Sequence, residues 1–180
     1  MQTYLALLRG VNVSGQKKIK MAELRQHLSE AGYMDVQTYI QSGNIIFQHP
    51  LSDIPSLEKS IQDLLLIKYG FDVDVLILAD EDFLRVVADN PFLNQSEVDP
   101  KFLHVTFLLA EVDEEKYAAI PLADYEPEEL MRKDQTCYLY MPNGYGRAKM
   151  TNSFFEKKLK IPATTRNWRT MRKLEEMIKG

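Results

Sequence analysis

Two stretches of this chain carry side chains whose types and spacing suit the binding of anions. The first follows Arg9 and runs Gly10-Val11-Asn12-Val13-Ser14-Gly15-Gln16-Lys17-Lys18-Ile19-Lys20. Gly10 and Gly15 have the spacing of the glycines in a phosphate-binding G-x-x-x-x-G-K-[ST] loop. Gln16-Lys17 stands where that motif needs Lys and a hydroxyl, so the metal-holding group is missing and a nucleoside-triphosphatase reading fails. A loop of Gly, Ser and Asn with Lys17, Lys18 and Lys20 nearby still suits one phosphate, held by backbone N–H groups. Arg9, Asn12 and Lys20 are the candidates to orient a small anionic ligand. Ser42 and Asn44, in the later Ser42-Gly43-Asn44, form a second locus.

The second stretch runs from Arg147 to Lys173. Lys149 leads into Thr151-Asn152-Ser153, a crowd of hydroxyl and amide groups at an expected helix N-terminus, where the dipole favours negative charge. Lys157, Lys158, Arg166, Trp168 and Arg169 follow. Basic residues interleaved with Tyr145 and Trp168 suit a phosphate plus an aromatic ring, as in a nucleotide or single-stranded RNA. On this reading Lys149, Asn152, Lys157, Lys158, Arg166 and Arg169 hold the ligand and Trp168 stacks on a base. The competing reading makes Trp168 a packing anchor and Lys157 and Lys158 the wet face of a helix.

Other chemistry is poorly supplied. Cys137 alternates with Leu139 and Met141 and reads as a core thiol, and no second cysteine exists to pair with it. His27, His49 and His104 fall in no metal-ligand or triad spacing, so neither a metal nor a cofactor is expected. Asp80, Glu81 and Asp82 read as helix-start residues. No general base is evident, which makes catalysis on a small anionic metabolite the weaker alternative.

The formal net charge of −4 hides a gradient. Residues 1–50 hold five Lys/Arg against three Asp/Glu, residues 51–142 seven against twenty, and residues 143–180 ten against three. The basic end attracts anions if its charges share an exposed face; if it folds against the acidic middle, they cancel. No apolar run approaches the roughly 20 residues of a membrane helix, no secretory leader is evident, and a single cysteine suits a reducing compartment. A cytoplasmic protein is expected.

Elements must position these groups. Residues 3–9 read as a central strand, and Met21, Leu24 and Leu28 as a helix face closed by Gly32. Two strands flank Ser42-Gly43-Asn44. Ser52 or Asp53 can cap a helix that ends at Gly70, and residues 73–79 alternate as a strand. The order β-α-β-β-α-β is the ferredoxin-like pattern. A short helix after Asp80 and an irregular connection through Asn90-Pro91 follow.

The second half repeats the order. Strands are expected at 103–109, 125–131 and 136–141, with helices at 113–120 and 151–159. Thr170 is expected to cap a last helix. The predicted fold is therefore α+β, with two ferredoxin-like subdomains at residues 1–79 and 102–180, mainly antiparallel sheets, a helix and linker at 80–101, and a C-terminal helix.

Leu7-Leu8-Arg9-Gly10-Val11-Asn12-Val13-Ser14-Gly15, Lys20-Met21-Ala22-Glu23-Leu24 and Thr38-Tyr39-Ile40-Gln41-Ser42-Gly43-Asn44-Ile45-Ile46-Phe47 resemble the signature of domain-of-unknown-function family 1697. The runs Thr151-Asn152-Ser153-Phe154-Phe155-Glu156-Lys157 and Thr164-Thr165-Arg166-Asn167-Trp168 are similar to its second signature, which extends the resemblance over essentially the whole chain. Ser14 stands where the family commonly has Gly. The resemblance implies two ferredoxin-like subdomains and no activity. In such a subdomain the loop after the first strand and the hairpin between the second and third are expected at opposite ends of the sheet, as separate loci. Three functions follow as expectations: a binding protein for a phosphate-bearing small molecule or RNA, an enzyme on a small anionic metabolite, or a protein-interaction module.

Overall fold

The computed structural model describes all 180 residues. Its first six elements are β1 (Gln2–Leu8), α1 (Met21–Glu30), β2 (Met34–Tyr39), β3 (Asn44–His49), α2 (Ile54–Tyr69) and β4 (Val75–Ala79). The strands form one antiparallel sheet in the order β2-β3-β1-β4. α1 exists because Met21, Leu24 and Leu28 fall on one face and bury there. α2 starts where Asp53 accepts a bond from the Ser56 amide and ends at Gly70, whose φ of 77° continues no helix.

The core of this unit lies between sheet and helices. Tyr4, Ala6 and Leu8 point to the same face as Ile45, Phe47 and Ile77, and pack with Leu24, Leu28, Leu57, Ile61 and Leu65. Each fully buried Leu or Phe contributes about 1.5–3 kcal/mol. β1 is buried on both faces, as a central strand with no alternation should be.

The second unit repeats the design with α3 (Asp80–Ala88) leading into it, then β5 (Leu103–Leu108), α4 (Glu114–Ala118), β6 (Glu129–Lys133), β7 (Thr136–Tyr140), α5 (Asn152–Leu159), β8 (Ala163–Asn167) and α6 (Trp168–Lys179). Its sheet order is β6-β7-β5-β8, the same permutation as in the first unit. Its core gathers Leu108, Cys137, Leu139 and Ala163 with Phe154, Phe155 and Leu159 of α5. By contact density the division runs through α3: Met1–Arg85 with Ile178–Gly180, and Val86–Met177. No helix is long and apolar enough to cross a membrane.

Three local expectations are corrected. The second strand of the second unit starts after Pro127, at Glu129, because Pro has no N–H for the ladder. Residues 163–167, part of the basic stretch above and expected in no strand, form β8 against β5. A run of Thr, Arg and Asn has no apolar alternation, so only the partner strand reveals it. Finally, α6 begins at Trp168, and its first turn is closed by Asn167, whose Oδ1 accepts the Thr170 amide at 2.8 Å. Thr170 is therefore inside the helix and not its cap.

Candidate anion site

The register of β1 on β3 decides where the first polar stretch lies. Leu7 pairs with Asn44, so the end of β1 runs beside the start of β3. The Leu8 amide donates to the Gly43 carbonyl at 2.8 Å. The loop after β1 and the β2–β3 hairpin thus share one end of the sheet, correcting the expectation that they sit at opposite ends. Antiparallel pairing requires it, because a strand's C-terminus meets its neighbour's N-terminus.

The loop itself is wound tightly. Gly10, Asn12, Ser14, Gly15 and Lys17 all have positive φ, between 44° and 76°. Three of them are not glycine, and each costs about 1–2 kcal/mol in that conformation. Asn12 holds the winding together. Its Nδ2 donates to the carbonyls of Ile19 at 2.9 Å and Gln41 at 2.8 Å, and its Oδ1 accepts the Ile19 amide at 2.9 Å. Lys17 Nζ donates to the Asp72 carbonyl, and Arg9 Nη1 to Asp74 Oδ2 at 2.7 Å.

The second unit closes the same corner without any of this. Leu108 donates to the Gln135 carbonyl as Leu8 does to Gly43, and Leu109 to the Pro162 carbonyl as Arg9 does to Asp74. Its connection to α4 is the short, acidic segment before Asp113. The fold therefore needs no Gly-Asn-Lys loop at this corner.

What the loop builds is a cleft of about 510 Å³ lined by Asn12, Lys18, Ile19, Lys20, Met21, Ala22, Arg25 and Gln41. Its floor is the first turn of α1. Lys20 occupies the cap position with an extended backbone, and its side chain caps none of the turn's amides. By contrast, Asp53 caps α2 and Asp113 caps α4. The cleft is positive. Lys20 is neutralised by Glu23 at 2.9 Å, but Lys18 has no ion pair. Arg25 is half-buried and donates to the Thr38 hydroxyl at 2.6 Å, a neutral partner. Arg9, Arg85, Arg132 and Arg172 each sit instead on a carboxylate.

The sequence candidates divide accordingly. Asn12 and Lys20 line the cleft, though the Asn12 amide is spent on the loop. Arg9 is close in sequence but turned to Asp74. Asn44 is buried and donates to the Tyr39 carbonyl and the Ser42 hydroxyl, both at 2.9 Å, so it shapes the hairpin. Lys18, expected near a phosphate at this loop, does line the cleft, whereas Arg25 and Gln41 were missed as site residues. Their signal was weak: Arg25 looks like the wet side of an amphipathic helix, and only the Thr38 contact distinguishes it.

The C-terminal candidates separate further. Lys149, Lys157 and Lys158 do converge, lining a cleft of about 310 Å³ with Tyr125, Thr151, Ser153 and Phe154. Thr151, at the cap position of α5, makes no side-chain cap bond. The buried Glu128 carboxylate accepts the Lys149 and Met150 amides just before it, at 2.7 and 2.9 Å. Asn152 turns toward β8, its Oδ1 accepting the Thr165 hydroxyl at 2.6 Å. Trp168 is 5 % exposed, which corrects its role as a base-stacking platform: it is the packing anchor of α6. Arg166 is likewise corrected as a surface phosphate clamp. It is 6 % exposed and donates to the Thr164 hydroxyl at 2.8 Å, and burial pushes its guanidinium down to about 10. Arg169 is exposed on α6, apart from the lysine cleft; Arg172 and Lys173 pair with Glu175 and Glu176 of their own helix.

No carboxylate or imidazole lines either cleft. The N-terminal one is lined by cations, amides and apolar groups. The carboxyl that burial raises, Glu58, spends an oxygen on the Ile77 amide at 2.9 Å. His104, whose pKa burial lowers, lies against Tyr145 in the second unit with Nδ1 on the Phe102 carbonyl.

The profile of the family "Protein of unknown function (DUF1697)" matches residues 1–138. The match includes the N-terminal cleft and stops short of the second signature, so the resemblance is narrower than the whole chain. The structure of conserved bacterial protein SP0830 from Streptococcus pneumoniae is similar over 98 % of both chains, at 25 % identity and a TM-score of 0.75. No curated protein matches the chain in sequence. With both units folded alike and the matched segment running through β1, α1 and the β2–β3 hairpin, the chain belongs to the DUF1697 family.

Proposed function

We propose that this protein binds a phosphate-bearing ligand in the cleft between the Gly10–Lys20 loop and the first turn of α1. One observation carries the reading: Arg25 and Lys18 bring two uncompensated positive charges to a cleft whose helix floor has no side-chain cap. Charge-assisted bonds from a guanidinium and an ammonium, with first-turn amides below, are the usual means of holding phosphate. The fold closes the equivalent corner of the second unit without such a loop, which supports a ligand as its reason for existing. A cytoplasmic setting, where phosphorylated metabolites abound, fits the single buried thiol.

The test is titration with inorganic phosphate at low ionic strength, followed by amide NMR shifts. Binding should move Met21, Ala22 and Glu23 and vanish in Lys18→Ala/Arg25→Ala. Shifts that survive the double substitution end the proposal.

The lysine cleft at α5 favours a second reading, in which Lys149, Lys157 and Lys158 hold the phosphate. Burial of Trp168 removes its base-stacking component, and the Glu128 carboxylate adds negative charge behind Thr151. Phosphate shifts centred on Asn152 and Ser153, lost in Lys157→Ala/Lys158→Ala, would favour it.

A further inference from the structure

Resting on that proposal, we infer that the N-terminal cleft takes a dianion, the terminal phosphate monoester of a small molecule, and rejects phosphodiesters, RNA included. The charge around the cleft carries this. Inside are two unpaired cations, Lys18 and Arg25, because Lys20 is cancelled by Glu23. Two charges match a dianion and over-match a diester, which bears one.

The next charged groups outward are mostly paired. Glu23 lies on Lys20 and Asp74 on Arg9, while Lys17, outside the lining, donates to the backbone carbonyl of Asp72. Single-stranded nucleic acid needs a track of cations along its backbone. Here the cations without an ion pair at the cleft are Lys17, Lys18 and Arg25, a track one cleft long on a chain of net charge −4. Arg25 sharpens the choice. Held by Thr38 at 2.6 Å, its planar fork is fixed in orientation, which suits two oxygens of one terminal phosphate.

Proton uptake by the ligand then sets a pH window. A phosphate monoester loses its second charge near pH 6. The charged side chains at the cleft are Lys18, Lys20 and Arg25 with Glu23 on Lys20, and His27 faces Tyr69 and Glu30, away from the lining.

The experiment compares methyl phosphate, dimethyl phosphate, sulfate and an unphosphorylated-end RNA decamer on the full chain, by calorimetry and amide NMR, at pH 7.5 and 5.5. Methyl phosphate should bind about tenfold tighter than dimethyl phosphate at pH 7.5. It should weaken severalfold relative to sulfate at pH 5.5, since sulfate keeps both charges. Arg25→Lys, which keeps the charge but loses the fork, should bind methyl phosphate more weakly and remain folded.

Equal affinity for methyl and dimethyl phosphate, or RNA binding as tight as the monoester, overturns the inference while the anion site stands. Absence of binding by all four probes overturns both.

Discussion

Arg25 Nη1 donates to the Thr38 hydroxyl at 2.6 Å, joining α1 to the edge strand β2 through a neutral partner. The bond orients a guanidinium without cancelling it. Thr38→Val removes the acceptor and leaves the net charge unchanged. Affinity for methyl phosphate should fall about three- to tenfold, the worth of one ordinary hydrogen bond. Calorimetry with wild type and variant side by side checks it, and unchanged affinity would mean that Arg25 needs no positioning.

Gly43 is required by its neighbours as much as by its φ of 75°. A Cβ there would lie 2.6 Å from Leu8 Cβ and 2.8 Å from Val11 Cγ2. Gly43→Ala should destabilise the protein by about 2–4 kcal/mol, combining left-handed strain with overpacking. Urea denaturation measures this directly. The corresponding carbonyl in the second unit belongs to Gln135, so Gln135→Ala should be near neutral.

Asn12→Ala removes two donated bonds and one accepted bond at once. It also leaves Ala at a φ of 55°. The expected loss is about 2–3 kcal/mol. Hydrogen exchange should speed at Ile19 while the amides of β1 and β3 stay protected. Uniform acceleration across the sheet would mean the loop is part of the folding core.

Burial lowers the pKa of His104, with the Phe102 carbonyl acting weakly the other way. A neutral native imidazole costs stability only where the unfolded chain would take the proton. The contribution is complete above the unfolded value of about 6.5 and is lost as pH falls toward the depressed folded value. His104→Gln should flatten the decline in stability between pH 7 and 5.5, by up to about 1.4 kcal/mol per pH unit. Parallel urea midpoints for both proteins would expose the failure of this assignment.

Burial pushes the Cys137 thiol up to about 12. A disulfide reagent at pH 8 should leave the native protein unmodified and react with one equivalent once the chain is unfolded. Rapid native modification would contradict the burial of β7.

By itself the sequence determined the β-α-β-β-α-β order of the first half, its repeat in the second up to the last strand, the apolar faces and the punctuation at Asp53, Gly70 and Asp113. These are local: a cap, a glycine or a 3.6-residue stripe acts within one or two turns. It also indicated the two polar stretches. Tertiary structure decided which of their residues meet. β8 became a strand because β5 offered it a ladder, and Trp168 and Arg166 were buried by packing, not by any property of their own segment. Asn12 reaches the Gln41 carbonyl across 29 positions, and Arg25 reaches Thr38 across 13. Such contacts follow from antiparallel pairing of distant strands, and neither periodicity nor composition encodes which distant partner a strand end will find.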